Sequence, residues 1–430
     1  MSSDLQIYGQ NRDITTLVNT GDMVRYFPDE VVYEFSKHIN KLSDLHALSL
    51  VSKHFFVTMF NNSFQGWATL LATHFPSSYR TSSPQQLTLA LYRNLKVIDR
   101  NIRTEKYQLR TLEGHQHPVN FLELKDEILI SASKKTIKIW EIATGKELLS
   151  INGHQGNISC LTVNDQMLIS GSADKTINIW DLASGNKLHT LNGHQDGVSC
   201  LTAKEGMLFS GSDDGVIKIW NIRSGKELHT LNGHQDSIFH LMVKDGILIS
   251  ASDDGTIKIW DTATYKEMHT LNGHQNAIHS LQVNGGMIFS GSEDNLINIW
   301  DISSGNLLHT LAGHKDCIRS LAVSDGMLFS ASDDQIIKIW DIGSGQELGV
   351  LVGHERGVSC LAVKDGMLFS GSKDSTIKIW DIANGKELCT LRSHKSFVEC
   401  LKVKDGMLFS GSLDRRVKIW DFNPAINASN

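Results

Sequence analysis

Residues 192–231 read NGHQDGVSCLTAKEGMLFSGSDDGVIKIWNIRSGKELHTL, and this stretch decides the fold. Four runs in it have strand character, at 198–203, 207–212, 216–220 and 227–231. Turn formers separate them: Lys204-Glu205-Gly206, Asp213-Asp214-Gly215 and Ser224-Gly225. Short strands joined by short loops predict an antiparallel meander. A lone four-stranded sheet cannot bury both faces, whereas neighbours stacked around a ring bury both. The ring is implied by the tryptophan at the end of the third run. It recurs every 40 residues, at Trp140, Trp180, Trp220, Trp260, Trp300, Trp340, Trp380 and Trp420. A fixed period of this size marks a repeat architecture. Eight equal units without spare chain between them leave little room for a buried enzyme site.

Gly193-His194, Asp214 and Trp220 recur together, the histidine 20 residues before the aspartate and the aspartate six before the tryptophan. This pattern resembles the WD repeat of β-propellers. In that family the histidine, the turn aspartate, a strand serine and the tryptophan form a hydrogen-bonded chain that holds each blade. The resemblance implies an all-β, eight-bladed WD40 β-propeller over residues 107–426. The first unit is one residue short, with Ser133-Lys134-Lys135 at the turn and Glu141 after its tryptophan, so its polar chain is incomplete. The last unit lacks its own outer strand, and residues 107–112 match that strand's pattern. They are expected to pair into blade 8 and close the ring, because a closed ring leaves no unpaired edge.

The segment before the propeller divides into a polar stretch at 1–25, an α-helical domain at 26–72 and a helical linker at 73–106. Pro28, Asp29 and Glu30 suit a helix start. Val31, Val32, Phe35 and Ile39 then form an apolar face. Phe27-Pro28-Asp29-Glu30, Leu42-Ser43-Asp44-Leu45, Leu48-Ser49-Leu50-Val51-Ser52-Lys53 and Trp67 resemble an F-box. Phe27 replaces that family's leucine, and Ser43 directly precedes Asp44. The resemblance implies contact with a Skp-type adaptor, and through it a cullin–RING ubiquitin ligase, by Phe27, Pro28, Val31, Val32, Leu45, Leu48, Leu50, Val51 and Trp67.

The formal net charge of −6 argues against a general nucleic-acid binder, which needs a basic face. No run of about 18 apolar residues suggests a membrane span, and the first 25 residues lack a secretory signal pattern. Four of the six cysteines, Cys160, Cys200, Cys360 and Cys400, share one repeat position and read as small buried hydrophobes rather than metal ligands. Twelve histidines follow the repeat, eight at Gly-His or Ser-His turns and four at His189, His229, His269 and His309. Spread around a ring, neither set can converge on one metal. His117, His240 and His279 break the period and are the histidines to consider for function. No cofactor is expected.

Eight-bladed F-box/WD receptors that read phosphorylated degrons place arginines at two kinds of position on the upper face, one after the first apolar residue of the inner strand and one before the turn aspartate. Here the first position holds Asn120, Ser159, Ser199, Phe239, His279, Arg319, Ser359 and Glu399. The second holds Ala173, Asp213, Asp253, Glu293, Asp333, Lys373 and Leu413. A doubly charged phosphate about 8 Å from one carboxylate meets ~1 kcal/mol of repulsion even in water. The acids Asp213, Asp253, Glu293 and Asp333 therefore disfavour a phosphodegron. With Phe239, His279 and Arg319 beside them, they suit a protein target bearing Lys or Arg.

The expected function is substrate recognition in an SCF-type ubiquitin ligase, without catalytic residues, in the cytoplasm or nucleus of a eukaryotic cell. Two alternatives remain open. One is a WD40 scaffold that assembles partners without ubiquitin transfer. The other is a bacterial effector that mimics a host F-box protein and acts in host cytoplasm.

Overall fold

The computed structural model describes residues 97–423. The adaptor-contact positions from Phe27 to Trp67 and most of the 73–106 linker lie outside the described residues. Thirty-two strands group into eight four-stranded antiparallel sheets, each a blade. Blades 1 to 7 run over 121–152, 158–192, 198–232, 238–272, 278–312, 318–351 and 358–392. Blade 8 combines 398–421 with Gln108–Leu112, which pairs antiparallel with Val417–Asp421. Inner strands of successive blades lie side by side, and Phe121–Lys125 of blade 1 meets Val398–Lys404 of blade 8, so the ring is closed.

The repeat chemistry explains each blade. In blade 3 the inner hairpin joins Val198–Lys204 to Met207–Ser212. Its counterpart in blade 4 turns at Asp245 and Gly246, with φ of +48° and +80°. Two successive positive φ values are what a type I′ hairpin requires, and they match the right-handed twist of the strands. Apolar residues on both faces of each sheet then fill the seams. Ile217, Ile219 and Phe209 pack with Ile238, Leu248 and Trp260 of the next blade. The eight repeat tryptophans are at most 4 % exposed. Burying about 150–250 Å² of indole contributes roughly 4–6 kcal/mol as an upper estimate.

The serine, histidine and tryptophan meet in all eight blades. In blade 3 Trp220 Nε1 donates to Ser210 Oγ at 2.8 Å, and Ser210 Oγ lies 2.8 Å from His194 Nε2. His194 Nδ1 stands 3.3 Å from the Asp214 carboxylate. A carboxylate only accepts, so the ring proton sits on Nδ1 and Nε2 accepts from the serine. Blade 1 lacks the last link. His115 contacts Ser131 at 2.7 Å, but its buried Nδ1 has no partner. Burial, followed by the nearby Lys138, pushes this imidazole down to about 4.

All six cysteines are free, and the four inner-strand thiols pair across to glycine: Cys160 with Gly171, Cys200 with Gly211, Cys360 with Gly371, and Cys400 with Gly411. A Cβ on Gly211 would come within 2.7 Å of Cys200 Sγ and 2.8 Å of Ile238, so the bulky sulfur and the missing side chain are coupled. Cys160 and Cys200 are buried, while Cys360 and Cys400 are only partly covered, which modifies the expectation of four fully enclosed thiols.

Residues 101–423 form one compact unit, which includes the closing strand and the residues just before it. Asn101 Nδ2 donates to the Phe422 carbonyl at 2.9 Å, and Ile102 is buried. Tyr107 meets Trp420 edge-on at 5.3 Å. The closing strand is thus anchored by the residues that lead into it.

Candidate functional site

At one end of each blade, the loop entering the inner strand meets the turn between the second and third strands. In blade 3 Asp213 N donates to Gly197 O at 2.8 Å, and Ser212 Oγ donates to Asp196 O at 3.1 Å. Eight such loop pairs form the upper face, and the two positions compared in the sequence sit together there, as the contacts Ser199–Asp213, His279–Glu293 and Arg319–Asp333 show.

The charges on this face are unevenly satisfied. Asp213 accepts from the Ser199 hydroxyl. Asp253 Oδ1 is enclosed without a hydrogen-bond partner. Burial, then the carboxylate of Asp236, raises the Asp253 carboxyl, with Glu293 and Asp213 adding to the effect and His279 opposing it. His279 Nε2 lies 2.7 Å from Glu293 Oε1. Phe239 is 38 % exposed, large enough an apolar surface to serve as a contact.

Asp333 behaves differently from the other acids. Arg319 grips its Oδ2 at 2.7 Å, and Lys373 from the next blade grips its Oδ1 at 2.6 Å. Burial raises the Glu399 carboxyl, which faces the same Lys373, Arg319 and Asp333. Two cations and two carboxyl groups therefore balance locally. This corrects the expectation that Asp333 extends the acidic crescent. Among the described residues Asp213, Asp236 and Asp253 in blades 3 and 4 have no cation at ion-pair distance, Glu293 in blade 5 meets only His279, and Asp316 continues the acidic run into the loop entering blade 6. The same pairing occupies both cations that a phosphate would have used.

The singled-out histidines take separate roles. His240 is half-buried, and its Nε2 donates to the His279 carbonyl at 2.8 Å, so it supports the backbone that carries His279. Ser133 Oγ donates to the His117 carbonyl at 2.6 Å, which involves no imidazole chemistry. The outer-strand histidines join neighbouring blades. His189 Nε2 reaches Arg223 O at 2.9 Å, and His309 Nε2 reaches Gly343 O at 3.2 Å. Tyr265 replaces the usual turn glycine, and its ring stacks on His229 at 3.8 Å between centroids.

Two clefts on the upper face escape a reading confined to two positions per blade. One, of about 490 Å³ at the seam of blades 8 and 1, is lined by Lys395, Arg415 and Arg416 against Glu113 and Asp414. Arg416 holds Glu113 at 3.0 Å. The other, of about 410 Å³ between blades 7 and 8, carries Arg356, Lys373 and Lys395 against Glu355 and Asp374. Apart from Lys373, these cations lie in loop positions that the period alone does not distinguish. The upper face is thus acidic over blades 3 to 5 and basic around blade 8.

Comparison with known proteins agrees with this geometry. The family model described as "WD domain, G-beta repeat" matches at residues 106–141, 145–181, 185–221, 225–261, 265–301, 305–341, 345–381 and 385–421. The chain belongs to the WD40 family. The crystal structure of the computationally designed Ika8 protein superposes with a TM-score of 0.69 and 38 % identity, covering 72 % of this chain and 98 % of that one. Mitochondrial division protein 1 of Mycosarcoma maydis is 34 % identical over 67 residues, 15 % of this chain and 8 % of that protein. Kinesin-like protein KIF21B of Homo sapiens is 38 % identical over 47 residues, 11 % of this chain and 3 % of that protein. Each of the two natural matches is shorter than two repeats and covers a small part of the relative. WD40 propellers bind protein partners, and no catalytic family is indicated for this chain. Among the described residues no helix is long and apolar enough to cross a membrane.

Proposed function

We propose that this chain is a target-recognition subunit of a cullin–RING ubiquitin ligase, with the upper face of the propeller holding a protein target. The observation that supports target binding is the division of charge on that face. Asp213, Asp236, Asp253 and Glu293 gather on one side beside exposed Phe239, and Lys395, Arg415 and Arg416 gather on the other. Such a surface selects an extended segment whose basic part lies over blades 3 to 5, and it sets the direction of binding. The engagement of Arg319 and Lys373 by Asp333 supports an unphosphorylated target at those positions. The ligase half of the reading rests on the F-box-like residues from Phe27 to Trp67, which precede the repeats in the sequence. This role places the chain in the cytoplasm or nucleus of a eukaryotic cell, whether native or delivered there.

Affinity capture with the full chain tests both halves. Recovery of a Skp-type adaptor with a cullin, lost in the double variant Pro28→Ala/Trp67→Ala, supports the ligase role. The charge-reversed variant Asp213→Lys/Asp253→Lys keeps the adaptor and loses the target. A chain that never recovers an adaptor, yet retains partners that depend on the upper face, is a WD40 scaffold instead.

A further inference from the structure

The repeats are similar enough to act as controls for one another, and the departures that matter most cluster at the seam of blades 5 and 6. His279 opens the inner strand of blade 5, Glu293 sits in the second turn of the same blade, and Cys317 lies in the loop entering blade 6. One donor atom from each lies within 4.8 Å of the other two. Each side chain is the only one of its kind at its repeat position. The counterparts of Cys317 are Asn157, Gly197, Ser237, Ala277, Gly357 and Phe397. No other blade places even two such donors together at these positions.

We propose that His279, Glu293 and Cys317 form a binding site for one borderline-soft divalent metal ion of the zinc type. Imidazole nitrogen, carboxylate oxygen and thiolate sulfur are the donors such an ion prefers, and three protein ligands leave a fourth position to water. Tetrahedral donors around zinc stand roughly 3.3–3.6 Å apart. His279 and Glu293 now touch at 2.7 Å, so their tips must part by about half an ångström. Both tips reach solvent, at 24 % and 44 % side-chain exposure, which permits that movement and gives the ion a way in. Cys317 is buried at 6 % exposure and forms the floor of the site.

The proton balance is simple. The ion displaces the thiol proton of Cys317 to solvent, and the His279 ring proton moves to Nδ1 so that Nε2 can coordinate. Thiolate and carboxylate then match the charge of the ion. Two surrounding features favour it. Asp253 Oδ1 is enclosed without a hydrogen-bond partner, and His279 and Glu293 are both among the charges its carboxyl senses. A cation beside that carboxyl would stabilise its ionised form. His240 donates to the His279 carbonyl and holds the ligand's backbone in place. Arg319 is held by Asp333 at 2.7 Å.

Cobalt(II) is the probe, because thiolate coordination gives it a charge-transfer band in the near ultraviolet. The full chain, stripped with chelator, is titrated with Co²⁺ and then with Zn²⁺. One equivalent should saturate the band, and Zn²⁺ should abolish it. His279→Ala, a substitution at the solvent-facing edge, should weaken Co²⁺ binding at least tenfold, and Cys317→Ser should remove the band. Cys360→Ser should leave it intact. All six cysteines belong to the propeller, so a thiolate band must come from one of them. A wild-type chain without the band, a band that survives Cys317→Ser, or equal affinity in His279→Ala overturns the site. None of these readouts depends on adaptor or target binding, so the metal site and the ligase reading fail separately.

Discussion

Blade 1 carries a repairable defect whose size follows from one histidine. His115 occupies the same buried pocket as His154 and His194, but its Nδ1 has no acceptor. The cause is the shortened turn, where Ser133 pairs directly with Thr136 and Lys134 takes a φ of +49°. In blade 2 the longer turn Ala173-Asp174-Lys175 brings Asp174 to 3.0 Å from His154. Burial, then Lys138, holds the folded His115 ring at about 4, against 6.5 for an unperturbed imidazole. Between those values the unfolded segment binds a proton that the folded blade refuses. Stability of blade 1 is therefore full above about pH 6.5 and falls as acid is added toward pH 4. The gap corresponds to about 3 kcal/mol at most, at about 1.4 kcal/mol per tenfold. Replacing Lys134-Lys135 with Ala-Asp-Lys supplies the acceptor. A charge-assisted bond to a buried imidazole contributes about 1.5–3 kcal/mol. Amide hydrogen exchange in peptides covering 121–152 should slow roughly tenfold to a hundredfold at neutral pH, where 1.4 kcal/mol is a factor of ten. The steep acid dependence between pH 6.5 and 4 should flatten. Unchanged exchange, with the same acid dependence, would refute the claim that a missing acceptor weakens this blade.

Other expectations follow from the same contacts. Ser250→Ala removes the shared partner of Trp260 Nε1 and His234 Nε2, both at 2.8–2.9 Å, and should cost about 2–4 kcal/mol by denaturant titration. Gly211→Ala drives a methyl into Cys200 and Ile238 and should cost about 1–3 kcal/mol; adding Cys200→Ser should recover part of it in a double-mutant cycle, since Ser320 already pairs with Ala331 in blade 6. Deleting 108–112 leaves Val417–Asp421 with an open edge, and limited proteolysis should then cut within blade 8 before any other blade. On the upper face, a peptide array should return basic, unphosphorylated segments, and Asp253→Lys should reduce their binding at least tenfold; top-ranked phosphopeptides would end the acidic-crescent argument.

The parts of this molecule that obey the period were legible from residues alone. The histidine, serine and tryptophan repeat in the sequence as they do in space, and so do their seven aspartate partners. Residues 108–112 could be assigned to blade 8 because they share the outer-strand pattern. What escaped that reading depends on reach across a seam. Asp333 and Lys373 are 40 residues apart, each at the same position of its own repeat, and nothing in a one-repeat pattern says that their side chains meet. The bond from Asn101 to Phe422 spans 321 residues, a reach that composition cannot reveal. The latch from His189 to Arg223 similarly joins an outer strand to the next blade's turn.

These seam contacts explain why function in such a chain is best sought in departures from the repeat. Positions common to all eight units carry the load of folding: a buried indole, a shared serine and a glycine or alanine beneath the inner strand. A substitution there costs stability, so the repeat holds it constant. The loop positions of the upper face carry no such load, and they hold Phe239, His279, Glu293, Cys317, Arg415 and Arg416 in single copies. A ring of identical blades would present eight weak copies of one surface. Varying only the loops turns that ring into a face with an acidic side, a basic side and one seam rich in metal donors, without disturbing the sheets beneath.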